Sequence, residues 1–83
     1  VADVFKGRYW LTFDAITGQE PLIYRMSKEY DVIFNIKQAN IGRDVAIMAL
    51  ELDGKEETVK AAIAWLEAHA VRVDPLEMNM IEG

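Results

Sequence analysis

With 83 residues, 52% of them hydrophobic, and no cysteine, the chain has room for one domain and one thin core. Disulfides, thiolate catalysis and cysteine-held zinc or iron–sulfur centres are excluded within these residues. A formal charge of −5, with no basic stripe interleaved with aromatics, argues against nucleic acid as a partner.

No run reaches the roughly 18 apolar residues of a membrane span, and no basic segment followed by an apolar one opens the chain. A cytoplasmic setting is expected. The chain starts at Val1 without methionine, which reads as a piece of something longer or a processed product. The ends, Val1–Lys6 and residues 79–83, are expected to be flexible around a single domain spanning residues 7–78.

Arg8 to Asp14 alternates, with Tyr9, Leu11 and Phe13 on one face and Trp10 and Thr12 on the other, and predicts a first strand. Thr17-Gly18 turns the chain. Pro21 sits where a first helical turn tolerates a missing N–H, and Leu22, Ile23, Met26 and Tyr30 form one apolar stripe of a helix. Arg25 and Glu29 stand at the spacing of an i,i+4 ion pair.

The second strand, Val32 to Ile41, carries an asparagine, Asn35, among Val32, Ile33, Phe34 and Ile36. Asparagine is depleted in strands because its short amide competes for backbone hydrogen bonds. Such an amide meets either a polar ligand or the protein's own backbone, and the residues alone leave both open. Gly42-Arg43 predicts a two-residue hairpin with glycine first, as a type II′ turn prefers. The third strand, Val45 to Leu52, is apolar on both faces. Asp53 is placed to cap a second helix, Lys55 to His69, with Glu56 in capping-box register and Val59, Ala62, Ile63 and Leu66 as core stripe. Val71 and Val73 open a last strand, which Pro75 confines to a sheet edge.

The order β-α-β-β-α-β predicts an α+β fold of the ferredoxin-like kind, a four-stranded antiparallel sheet with both helices on one face. Strands one and three are then central. Two helices cover only one face, yet Trp10 projects from the other and strand three is apolar on both. A second copy of the chain is the simplest cover. A homodimer interface through Trp10, Ile47 and Ile36 is therefore expected.

Catalytic patterns are absent. His69, the single histidine, falls at a helix end where an imidazole complements the dipole. Glu56-Glu57, Asp74 and Glu77 read as solvated carboxylates, and Gly18, Gly42 and Gly54 build no phosphate-binding loop. Met26 and Met48 read as core filler, Met78 and Met80 as an exposed end. Trp65 flanks the core stripe of the second helix.

Asn35 is also where the chain comes to resemble a known family, over stretches that lie on both sides of it. The segment PLIYRMSKEYDVIFNIKQANI, an apolar strand ending LDG, a helix reading VKAAIAWLEAH and then VRVDPL together are similar to the NIL domain. The resemblance runs from about Tyr9 to Leu76. The Asn-Ile-Leu run that names the family reads Asn35-Ile36-Lys37 here, so the third position departs from it.

The family occurs as the C-terminal domain of ATPase subunits of methionine ABC importers, where it dimerises, binds methionine and inhibits transport. It also occurs fused to a four-iron–four-sulfur ferredoxin module. The Asn35 amide is by this resemblance a ligand contact, with Phe34 and Ile36 candidates by adjacency and Met48 a polarizable lining for a thioether. The segment IYRMSKEYDVIFNI and the Pro75-Leu76 ending look more like the ferredoxin-linked branch.

The expectation is thus a non-catalytic, ligand-sensing domain for methionine or a related sulfur amino acid. No cofactor is expected within this chain, and any clusters would lie in a following module. The alternative is a dimerisation or docking domain without a ligand.

Overall fold

The computed structural model describes residues 3–15, 17 and 20–82, with side chains from Val4 to Leu76 among them. The Gly18 turn and the side chains of Met78 and Met80 lie outside the described residues. The elements are β1 (Asp3–Asp14), α1 (Leu22–Glu29), β2 (Ile33–Ile41), β3 (Val45–Gly54), α2 (Glu56–Ala68) and β4 (Arg72–Glu82). Sheet order is β2-β3-β1-β4, antiparallel throughout, so β1 and β3 are central as expected.

Alternation along the central strands sorts the side chains into two faces. Phe5, Tyr9, Leu11, Phe13, Leu50 and Leu52 are buried on one face. They form one cluster with Leu22 and Met26 of α1, Val59, Ala62 and Leu66 of α2, and Val71. Helix α2 lies against β1, β3 and β4. Every residue of the edge strand β2 is exposed.

The strands are longer than the sequence predicts. Asp3 pairs with Glu82 and Lys6 with Asn79, so the two ends expected to fray extend β1 and β4 by pairing with each other. β4 runs through Pro75 on the sheet edge, where a missing N–H leaves no ladder bond unmade.

Both edge strands carry a one-residue bulge. Ile36 opposes Leu50 and Gln38 opposes Ala49, leaving Lys37 extra in β2. Pro75 opposes Tyr9 and Glu77 opposes Arg8, leaving Leu76 extra in β4.

Four local expectations are corrected. The β2–β3 connection holds three residues, Gly42 to Asp44, and closes with the Gly42 N–H donating to the Val45 carbonyl at 2.9 Å. No described glycine has positive φ, so Gly42 does not make a type II′ turn. Asp53 does not cap α2. The N-cap is Lys55 with no side-chain bond, because Asp53 belongs to β3 and lies opposite Lys6 and Ile33. Glu56 and Glu57 in the first turn offset the helix dipole instead, Glu56 also bonding Lys60 at 2.8 Å. Arg25 reaches back to Glu20 at 3.3 Å rather than on to Glu29, with its guanidinium 5.4 Å from the Trp65 ring centre.

Helix α2 ends in a Schellman motif. The Val71 N–H donates to the Leu66 carbonyl at 3.1 Å and the Ala70 N–H to the Glu67 carbonyl at 3.1 Å. Val71 and Leu66 are both buried, as the motif's apolar contact requires. Ala70 takes the left-handed position, φ 68°, which glycine adopts without cost.

At the centre of β1 the Tyr9 phenol folds over Gly7. A Cβ there would collide with the phenol oxygen and come within 2.7 Å of two ring carbons. That oxygen is buried without a hydrogen-bond partner among the described residues. Burial also pushes the Tyr9 phenol pKa up.

Thermal or urea denaturation tests both features. Ala70→Gly should stabilise the fold by about 0.5–1 kcal/mol through relief at the left-handed position. Gly7→Ala should destabilise it by about 1–3 kcal/mol through overpacking. Tyr9→Phe, which removes an unpaired buried hydroxyl, should leave the midpoint unchanged or raise it.

Candidate functional site

Strand register defines the face the helices leave open. Tyr9, Leu50 and Leu52 point to the core, so Trp10, Ile47, Ala49 and Glu51 point away from it. Asn35 pairs directly with Glu51 and therefore lies on this open face. So does Ile33, opposite Asp53 and 72% exposed. Val45 and Ile47 add exposed apolar surface at the far end.

In the middle of this face sits a buried carboxylate. Glu51 is only 4% exposed, although no helix covers it. Three cationic side chains stand against it. The Arg8 Nε–H donates to Oε2 at 2.8 Å, and Lys6 and Lys37 place their ammonium groups 3.8 Å from Oε1. The hydrogen bond from Arg8 is the main reason the Glu51 carboxyl titrates below the ordinary range. Burial opposes it, and the charges of Lys37, Lys6 and Arg8 reinforce it.

An open groove of about 390 Å³ crosses the same face. Arg8, Trp10, Lys37, Gln38, Ala49 and Leu76 border it. Both bulge residues, Lys37 and Leu76, are therefore in its rim. Asn35 stands beside it, and no described residue hydrogen-bonds to its amide.

The structure divides the residues singled out from the sequence. Asn35, Trp10 and Ile47 share the open face. Phe34 and Ile36 oppose Leu52 and Leu50, so they point to the helix side, where they remain 39% and 47% exposed at the sheet edge. Met48 also faces the helix side, opposite Leu11 and Ala39. It lines a smaller cleft of about 170 Å³ with Phe13, Leu22, Ile41 and Ala46. Within one chain, then, Asn35 does not converge with Phe34, Ile36 and Met48, and Ile36 does not share a surface with Trp10 and Ile47.

Glu51 was missed by sequence reasoning. The signal was there: one acidic residue inside the apolar run of strand three, at a position that antiparallel register puts beside Arg8 and Asn35.

His69 closes α2. Its Nδ1 lies 2.7 Å from the Trp65 carbonyl, which only accepts, so this nitrogen carries the proton. Its ring stacks on Trp65 at 3.8 Å, consistent with a capping role. Among the described residues no group of three or more histidine or carboxylate side chains is placed to hold a metal, and no helix is long and apolar enough to cross a membrane.

Comparison with known proteins gives one consistent answer. Residues 8–75 match the NIL domain family. The methionine import ATP-binding protein MetN of Chromohalobacter salexigens is 36% identical over 70 residues, which cover 80% of this chain and 20% of that protein. The MetN of Escherichia coli K12 is 36% identical over 67 residues, 72% of this chain and 20% of that protein. The chain thus spans about a fifth of the length of these relatives. Among solved structures, the C-terminal domain of an ABC transporter ATP-binding protein from Enterococcus faecalis superposes with a TM-score of 0.73 at 27% identity, covering 84% of this chain and 82% of that one.

The cation-clamped Glu51 yields a pH dependence. Its pKa is lower folded than unfolded, so it stabilises the fold fully above the unfolded carboxyl value of about 4.3. That contribution fades as pH falls through the lowered folded value. Glu51→Gln should therefore melt at lower temperature than the parent at pH 6–7, and the two curves should converge on acidification. Melting temperatures measured between about pH 2 and pH 7 read this directly.

Proposed function

The chain belongs to the NIL domain family, and from that premise we propose that it is a non-catalytic regulatory domain binding methionine or a related sulfur amino acid on its open sheet face. One observation carries the reading: the Asn35 amide, with no hydrogen-bond partner among the described residues, stands on an uncovered face beside a groove. An amide so placed offers a donor and an acceptor to a small zwitterion. Trp10 and Leu76 supply the apolar wall along which a thioether chain lies.

Relatives named as methionine import ATP-binding proteins support the ligand class. They also support a parent that is a cytoplasmic-side ATPase subunit of an importer. A ferredoxin-linked parent is the second reading, resting on the IYRMSKEYDVIFNI and Pro75-Leu76 stretches. Cluster-binding cysteines following Gly83 would distinguish it.

A second copy of the chain completes the proposal. Val45 and Ile47 toward one end of the sheet and Ile33 at the other are exposed on the same face as Trp10 and Asn35, apolar surface of the kind buried between protomers. The thioether lining first expected from Phe34, Ile36 and Met48 stays on the other side of the sheet.

Isothermal titration with L-methionine and L-homocysteine tests the ligand. Heat of binding is expected with the parent chain and its loss with Asn35→Ala, at unchanged fold. No heat with either compound, in a sample that sediments as a dimer, overturns the reading in favour of a docking domain. Trp10→Glu should abolish the dimer in sedimentation velocity and leave the monomer folded.

A further inference from the structure

We propose that Lys37 is the group that recognises the ligand's carboxylate, so that this site selects an amino acid with its carboxylate intact. The inference rests on reading the open face as the ligand site, and it adds a specificity residue at the position where the family's Asn-Ile-Leu run has its leucine.

The bulge creates the arrangement. In an unbroken strand, Lys37 and Gln38 would point to opposite faces. With Lys37 as the extra residue, Gln38 opposes Ala49 and both line the open-face groove. Strand β2 therefore presents Asn35, Lys37 and Gln38 together on one face.

The charge geometry then leaves Lys37 available. Its ammonium stands at ion-pair distance, 3.8 Å, from the Glu51 Oε1, too far for a hydrogen bond, so its N–H donors remain open, and its side chain is 50% exposed. Glu51 already accepts a 2.8 Å bond from Arg8, so it does not depend on Lys37 for its partner. The Lys37 donors thus face a groove walled by Trp10 and Leu76, where an entering carboxylate gains a charge-assisted hydrogen bond.

Spacing fits an α-amino acid. Asn35 and Lys37 are about 7 Å apart at most along the strand, given a rise of about 3.3 Å per residue. One hydrogen bond from the Lys37 ammonium to the carboxylate and one from the ligand's ammonium to the Asn35 amide oxygen span that interval. If Lys37 merely shields Glu51 or guards the sheet edge, its removal alters stability alone.

Calorimetric titration of the parent chain, Lys37→Met and Lys37→Arg with L-methionine and with 3-(methylthio)propylamine, its carboxylate-free counterpart, separates these roles. The parent is expected to prefer L-methionine by about tenfold or more, Lys37→Met to bring the two affinities within about twofold, and Lys37→Arg to keep most of the preference. Thermal melts confirm that each variant is folded.

Equal affinity of the parent for both compounds, or an unchanged preference in Lys37→Met, overturns the assignment while leaving the ligand site standing. A parent that binds neither compound overturns both.

Discussion

Two helices cannot cover two faces of a four-stranded sheet, and most of what is specific to this molecule follows from that constraint. Helices α1 and α2 seal the side bearing Tyr9, Leu11, Leu50 and Leu52. The other side has only side chains growing from its own strands to keep water out. It meets that demand in two ways. Around Glu51 it uses the long stems of Lys6, Arg8 and Lys37, whose aliphatic portions cover the surface while their charged ends hold the carboxylate. Around Trp10, Val45 and Ile47 it leaves apolar surface half open, as a face does that expects company.

This division gives the candidate site its character. The carboxylate, the amide of Asn35 and the groove lie within a few residues of one another because antiparallel register puts them there. The central strands are paired on both sides, so the polar groups stand on a continuous ladder. The irregular parts are the bulged edge strands, where one added residue changes which side chain reaches the groove. Loop chemistry plays little part here.

Much of this was legible in the sequence. Alternation in RYWLTFD, the stripes of both helices and the edge position forced by Pro75 led to the element order, the sheet order and the uncovered face. What escaped depends on non-local pairing. The bulges at Lys37 and Leu76 come from register between strands distant in sequence, and no local pattern announces them. The split of Asn35 from Phe34 and Ile36 is legible in principle, since neighbours in a strand face opposite ways. Adjacency in sequence was mistaken for adjacency in space. The paired chain ends were hidden because the partner of Asp3 lies at the other end of the chain. The Asp53 cap failed because β3 runs two residues past Leu52, which draws Asp53 into the ladder.

The bulges have a bearing on solubility as well. An uninterrupted nine-residue outer strand with few charges is a template onto which foreign chains zip, and repeated zipping ends in fibrils. Here each outer strand is broken near its middle, and at the break in β2 stands a lysine. An approaching strand finds its bonding rhythm out of step halfway along and a charge in its path. Growth sideways is discouraged on both margins.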